Sequence, residues 1–590
     1  MKNFHLVRQF NGYRNKRDVT NIGATFLVDR SQNVLISDGE KVATRKGYTV
    51  DGTENTVDDY AVEGSYEWNN NLGKEIPLRS FNDEIQYRYL GEWYTLEDGF
   101  SSAAFEFATA WDFTEEEEVL LMVNGDNTLR MWSGGITTLL AVTANTIQKE
   151  NGGNWTEEGF LTAGTREVVL GGIVYTYTGG ENTDTLTGVT PDPTGGGHTT
   201  GDIVHQTVRT SATTPASNVS NDLIAVLDNQ IWIGDKERLD IYVSKNTDYN
   251  DFTFSSPRIP GDGAVLNLDS APKSMDIQED VMYIGGTKND WYASALQLSD
   301  DLLNETLSIR RLKTGPGQGP KSQGLVAKAK NNVVYISEEP TMDLLGRAEN
   351  ISTPQSRPLS DPIKTEFGAL DFDNGHMKYF KNQMFISTPD DGRVYIYDFE
   401  RAHWQPPQVF ADAIGRFAII GGELFGHSAT SPNTYKLFDG TKDNGGAILA
   451  RASFSYRNYG KRSWQKSFDE WFTEGYIGQN TTITHREYID YLGFSSIVEN
   501  TIEGSDDSII FEGPQTLGIG KSSLGKVPLG SLTSDPDNLR KFRIIQGSVK
   551  IDFYEIQVEY ETDDVDQEWE ILAQGGNIAM STNDNNFIKK

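Results

Sequence analysis

The sequence predicts an all-β chain built from short repeated strand units, and three observations carry that prediction. The first is a motif that recurs through the middle of the chain. A polar turn pair is followed by a short apolar run with an aromatic at its centre. The copies are Asp228-Asn229 before Ile231-Trp232-Ile233, Glu279-Asp280 before Met282-Tyr283-Ile284, and Asn331-Asn332 before Val334-Tyr335-Ile336. Lys381-Asn382 before Met384-Phe385-Ile386 and Gly421-Gly422 before Leu424-Phe425-Gly426 complete the set. With the second turn residue as marker, the spacings are 51, 52, 50 and 40. The aromatic stands three places after each marker, and a Gly, Ser or His stands five places after it. A unit of about 40–50 residues made of short strands is the sign of a propeller blade. The second observation is composition: 58 glycines and 25 tyrosines suit many turns and many strands. The third is the lack of any amphipathic pattern longer than a few helical turns. Together they predict a β-propeller of roughly six to eight blades.

Each segment follows in order. Residues 1–19 run basic (Lys2, Arg8, Arg14, Lys16, Arg17) and are expected to form an arm for a neighbouring subunit. Residues 20–150 are expected to hold the first two or three blades. Val34-Leu35-Ile36 before Asp38-Gly39 is a hairpin pattern, and Ile85, Tyr87 and Tyr89 alternate with polar residues. Val119 to Val123 is a continuous apolar run, as expected of a strand covered on both faces. Residues 151–215 break the rhythm. Val168-Val169-Leu170, Gly171-Gly172 and Val174 to Tyr177 suggest a small β module inserted between blades, which is either a contact element, since insertions gather on exposed loops, or decoration. Residues 216–450 carry the remaining blades. From 451 to 590 the register is lost, and the strands expected there form a C-terminal β-sandwich-like domain. The Gly-rich stretch Leu517 to Gly530 is expected as a loop and Asn583 to Lys590 as a frayed tail.

Composition narrows the function. With 37% hydrophobic residues the chain can bury a core. The absence of cysteine excludes disulfides and thiolate metal sites. The N-terminal residues lack an apolar core of secretory length, and no stretch reaches the roughly 18 apolar residues of a membrane helix. A soluble protein made in a cytoplasm is expected. A formal charge of −33 argues against holding nucleic acid by phosphate neutralisation; it serves solubility first, and the sharper reading is an acidic channel wall that lets DNA pass without sticking.

No motif supplies catalytic, cofactor-binding or metal-ligating residues, and no cofactor is expected. The seven histidines (His5, His198, His205, His376, His403, His427, His485) lack metal-ligand spacing. Gly315 to Ser322 resembles a phosphate loop, but Pro320 replaces the second required glycine and offers no amide hydrogen. Thr388 to Tyr395 matches the Asp-box hairpin turn, which is a mark of fold and not of catalysis. Asp371 to Gly375 lacks the distal glutamate of a calcium loop. Gly426 to Thr430 lacks the last glycine of a nucleophile elbow. With 85 carboxylates some pair will lie close, but none is singled out.

Leu239-Asp240-Ile241-Tyr242-Val243-Ser244 followed by Asp248-Tyr249-Asn250-Asp251-Phe252 resembles a blade of virion β-propellers from tailed bacteriophages. The similarity continues through Asp280 to Ile284, Trp291, the Ile309 strand, the Gly315–Pro320 loop and Val333 to Ser337. Ser31 to Gly39 with Arg45-Lys46-Gly47-Tyr48 is similar to the N-terminal region of phage tail proteins. The tail nozzle family, of the tail tubular protein B type, is the nearest comparison, over roughly residues 20–450. That resemblance implies a non-enzymatic structural protein of the virion, made in the host cytoplasm. It would form a ring, expected to be a hexamer, that extends and gates the DNA ejection channel. The partners implied are the tail adaptor, tail fibre proteins, a host surface receptor, and double-stranded DNA only as passing cargo. The alternative is a carbohydrate-binding or glycan-cleaving propeller, suggested by the Asp-box-like turn and the many Trp and Tyr residues.

Overall fold

The structure is a computed structural model. It describes the chain apart from residues 1, 16–24, 38–40, 56–58, 102–103, 113–115, 127, 163–165, 212–214, 216–218, 246–247, 249, 254–261, 279–280, 287–289, 295–308, 313–318, 346–356, 458–464, 491–495, 497, 506–509, 513–539, 548–554 and 582–590. The phosphate-loop-like stretch, the 517–530 loop, the tail and the Glu279-Asp280 turn therefore lie largely or wholly outside the described residues.

Among the described residues, seven antiparallel sheets share a plan of four strands in meander order; one adds a fifth strand, and two take their fourth strand from elsewhere in the sequence. Their first strands are Val62–Asn69, Glu106–Asp112, Leu223–Leu227, Pro272–Gln278, Val326–Ala329, His376–Phe380 and Ile414–Ile420, and they head sheets I to VII in that order. Each first strand touches the next, and Ile414–Ile420 returns to touch Val62–Asn69. A closed ring of first strands, with each sheet running outward, is the architecture of a β-propeller. Tyr48–Val50 supplies the fourth strand of sheet VII, so the chain's early residues complete its last propeller sheet. Gly47 is required there, because a Cβ would lie 1.8 Å from the carbonyl oxygen of Lys442.

The five motif aromatics all occupy second strands, in sheets III to VII. Asp228-Asn229 and Lys381-Asn382 have positive φ at both residues (51° and 59°; 45° and 63°), as do Gly421 and Gly422. These are the primed turns whose twist matches a hairpin. One copy departs from the expected register. In sheet V, Ala329 pairs with Asn332, so the turn is Lys330-Asn331, one residue earlier than the motif suggests. A one-residue slip sends a side chain to the opposite face. Trp232 accordingly packs with Met275, Met282 and Ile284 of the following sheet, whereas Tyr335 packs back against Tyr283 of the preceding one.

Three expected boundaries change. The inserted element begins at Ile136 rather than 151 and lies inside sheet II, between Arg130–Trp132 and the fourth strand Arg209–Thr210. It is a six-stranded sheet with its own core of Trp155, Phe160, Tyr175 and Tyr177. Lys2–Val7 is not a free arm: it pairs with Trp569–Ser581. The hairpin Val34–Ile36 and Val42–Thr44, expected in a first blade, also joins Trp569–Ser581. Local alternation marks a strand but not its partner, and these pairings join the two ends of the sequence.

The C-terminal strands form two sheets. One runs through Trp569–Ser581, Gln465–Ile477, Arg540–Gly547 and Ile510–Glu512, the other through Ala450–Ser453, Ile556–Thr562, Thr482–Ile489 and Val498–Glu503. Trp471, Phe542 and Trp569 of the first share a core with Ile483, Ile502 and Tyr560 of the second. Val334, Ile386 and Trp404 of sheets V and VI belong to the same core. No helix among the described residues is long and apolar enough to cross a membrane.

Candidate functional site

Because the seven first strands share one direction around the ring, their opening residues gather at one end of the central axis. Glu106 opens its strand, Glu63 and Arg416 follow the openings of theirs, and His376 opens the first strand of sheet VI. Arg416 leans over Gly324, where a Cβ would stand 2.9 Å from its guanidinium nitrogen. Any side chain at 324 would displace Arg416. Burial pushes the Arg416 guanidinium below its usual range, against the favourable field of Glu106 and Glu63. Burial also raises the Glu106 carboxyl, opposed by Lys236 and Arg416. Deeper in, Lys378 Nζ meets Glu67 Oε2 at 2.5 Å, and the Ile419 amide donates to Glu67 Oε1 at 2.7 Å. Lys378 and Glu67 belong to sheets VI and I, so the pair bridges the first strand of sheet VII. The Lys378–Glu67 ion pair thus links two sheets beside the central axis.

His427 stands five places after its motif marker, at the seam between sheets VII and I. Its ring nitrogens bond Ser65 Oγ and Thr434 Oγ1, both at 2.9 Å, and Arg79 Nη1 donates to the same Thr434 hydroxyl at 2.8 Å. Burial, then the cations Arg79, Arg416 and Lys378, push its pKa down to about 3. An unfolded histidine titrates near 6.5, so the unfolded chain takes up the proton first. The stability held above pH ~6.5 is thus lost as pH falls towards 3, by up to about 1.4 kcal/mol per pH unit. His427→Gln is expected to flatten this fall. Urea unfolding of both proteins between pH 7 and 4 reads the difference directly, free of the shared contribution of Glu106. Parallel pH profiles would contradict it.

The other histidines are dispersed. His485 is buried beside Trp471 and Tyr560, His198 meets Tyr175 O–H, and His403 meets Gln405. His205 lies in the inserted sheet, and the backbone of His5 pairs with Gly576. Among the described residues no group of three or more His, Asp or Glu is arranged to hold a metal ion. In the Asp371–Gly375 turn, the Asp373 amide donates to Asp371 Oδ1, and Lys321 Nζ lies 2.5 Å from Asp373.

The Asp-box-like segment has a role that its motif does not reveal. Tyr395 O–H and Arg393 Nη1 donate to Glu366 Oε1, at 2.8 and 3.0 Å. Tyr13 O–H and Asn15 Nδ2 donate to Glu366 Oε2, at 2.6 and 3.0 Å. Four donors on one carboxylate tie the N-terminal segment to sheet VI. Glu366 carries no motif, so only its partners identify it.

No protein-family model matches the chain, and no curated protein matches it. The solved structures to which the chain is similar include two β-propeller proteins. The computationally designed Ika8 protein has 13% identity and a TM-score of 0.31, covering 66% of this chain and 99% of its own. BamB from Moraxella catarrhalis has 10% identity and a TM-score of 0.31, covering 64% and 98%. The likeness concerns the fold alone and adds nothing to what the sheet order establishes.

Proposed function

We propose that this chain is a structural subunit of a tailed-phage tail, at or near its distal end. In this reading the seven sheets are seven blades, the C-terminal sheets form a β-sandwich, and six copies form a ring. The ring extends and gates the DNA path, and its outer surface offers attachment to adaptor, fibres or a host receptor. The observation that supports this reading most is the interlocked chain. Tyr48–Val50 closes the last propeller sheet, Lys2–Val7 pairs with Trp569–Ser581, and Glu366 ties Tyr13 and Asn15 to sheet VI. Such closure resists unravelling from either end, as a part that bears load in a virion must. The motifs shared with phage tail propellers and the charge of −33 agree with it. In this reading the conduit lies between copies.

Negative-stain microscopy and mass photometry test the assembly. Rings with a central opening are expected, and a monomer at micromolar concentration would count against the reading. The charge leads to a second expectation. The protein should bind double-stranded DNA no more tightly than roughly 10⁻⁴ M at physiological salt, the weak end of non-specific binding. A fluorescence titration at two salt concentrations measures this. Tight, steeply salt-dependent binding would point instead to a plug that retains DNA.

A further inference from the structure

At the seam between sheet I and the inserted sheet lies a cavity of about 420 Å³. This is within the range of small-ligand pockets. One wall comes from the outer strands Glu84–Tyr89 and Glu92–Asp98, through Tyr87, Tyr94 and Thr95. The other comes from the insert, through the Gly171-Gly172 turn, Asp202 and His205. Ile136 and Ile203 root the insert in the core between sheets I and II, so both walls are fixed.

Three features of this cavity go together. First, Tyr87 is fully buried, yet its hydroxyl has no hydrogen-bond partner. An unmet buried hydroxyl costs about 1–3 kcal/mol, which a ligand hydroxyl would recover. Second, His205 presents an acceptor. Its Nδ1 faces the Gln206 carbonyl at 3.1 Å, and a carbonyl only accepts, so Nδ1 carries the hydrogen. Burial lowers its pKa to about 4, which leaves the ring neutral and Nε2 an acceptor. Third, the rings are clustered. Tyr87 lies 5.4 Å from His205 and 5.8 Å from Tyr94, which gives an apolar wall beside the polar groups. No lysine or arginine lines the cavity, and Asp202 supplies its one carboxylate. An anionic ligand would find no counter-charge there.

From this we infer that the seam is a binding site for a neutral sugar. One pyranose ring would lay its C–H face on Tyr94 and place hydroxyls against Tyr87 O–H, His205 Nε2 and Asp202. The inference does not rest on assembly into a tail ring, and it holds for the isolated chain.

Saturation-transfer NMR and calorimetry on the full chain test it, with methyl glycosides of glucose, galactose, mannose and N-acetylglucosamine, and N-acetylneuraminic acid as anionic control. Saturable binding of at least one neutral glycoside is expected, with Kd on the order of 1 mM. Tyr87→Phe removes only the hydroxyl. It should weaken binding about tenfold, the loss of roughly one hydrogen bond, without lowering Tm. Tyr94→Ala should abolish transfer to the sugar ring protons. The inference fails if no neutral glycoside binds, if Tyr87→Phe binds as the wild type does, or if the anionic sugar binds as tightly.

Discussion

Arg45→Ala is expected to destabilise the protein by about 3–5 kcal/mol, the cost of leaving a buried charge without its partner. Arg45 and Asp443 form a two-pronged pair at 2.7 and 2.6 Å, with both side chains almost wholly out of solvent. The remaining guanidinium hydrogens go to Asn33 Oδ1 and to the carbonyls of Lys46 and Val409. All five donors are thereby used. The guanidinium also lies 4.2 Å from the centre of the Phe410 ring. Removing it strands Asp443 and withdraws a donor from three other acceptors, of which Asn33 Oδ1 keeps the Val409 amide, and it frees the segment that delivers Tyr48–Val50 to sheet VII. Urea unfolding measures the loss, and a change below about 1 kcal/mol would show the pair to be dispensable. Arg45→Met with Asp443→Leu should recover much of the deficit, because the stranded charge goes with its partner.

The second large effect is expected at Tyr335. Tyr335→Ala should cost about 3–5 kcal/mol, since the side chain is fully buried between sheets IV and V. Its neighbours Tyr283, Val333 and Leu345 are themselves fully buried in two hydrogen-bonded sheets, so the cavity has little means of collapse. Leu90→Ala is the control: Leu90 is 73% exposed and should change stability by less than about 0.5 kcal/mol. Equal effects from the two substitutions would mean that the packing between sheets is not what holds the ring.

The repeat was readable because each second strand is bounded by a turn with its own chemistry and is covered on both faces. Trp232, Tyr283, Phe385 and Phe425 therefore advertise both their strand and their side. Tyr335 advertised only its strand: in Lys330-Asn331-Asn332 either Asn fits a turn, and pairing chose the earlier. The outer strands Arg357–Pro358 and His403–Trp404 are two residues long and leave no periodic trace. Partners across the whole sequence, such as Lys2–Val7 with Trp569–Ser581, lack any local signal. For the same reason the axial charges could not be picked out. Glu63, Glu67, Glu106, Lys378 and Arg416 look like ordinary polar positions until the ring brings them together. The seam cavity depends on where the insert sits, which its strands alone do not specify.

Closure by the early residues sets a clock on the making of this protein. Thr49 bonds Asp439, 390 residues later in the chain. At about 5–20 residues per second, a nascent chain holds Tyr48–Val50 unpartnered for roughly 20–80 s before its neighbour leaves the ribosome. Lys2–Val7 waits longer still, for a strand that reaches Ser581. Throughout that interval the open ring exposes strand edges to other nascent chains on the same message. Long-range pairing of this kind is slow and prone to exchange between copies. If another copy's Tyr48–Val50 filled sheet VII, the two chains would be joined by a swapped strand. Crowded synthesis would then favour linked copies, and dilute synthesis would favour rings that each close on themselves.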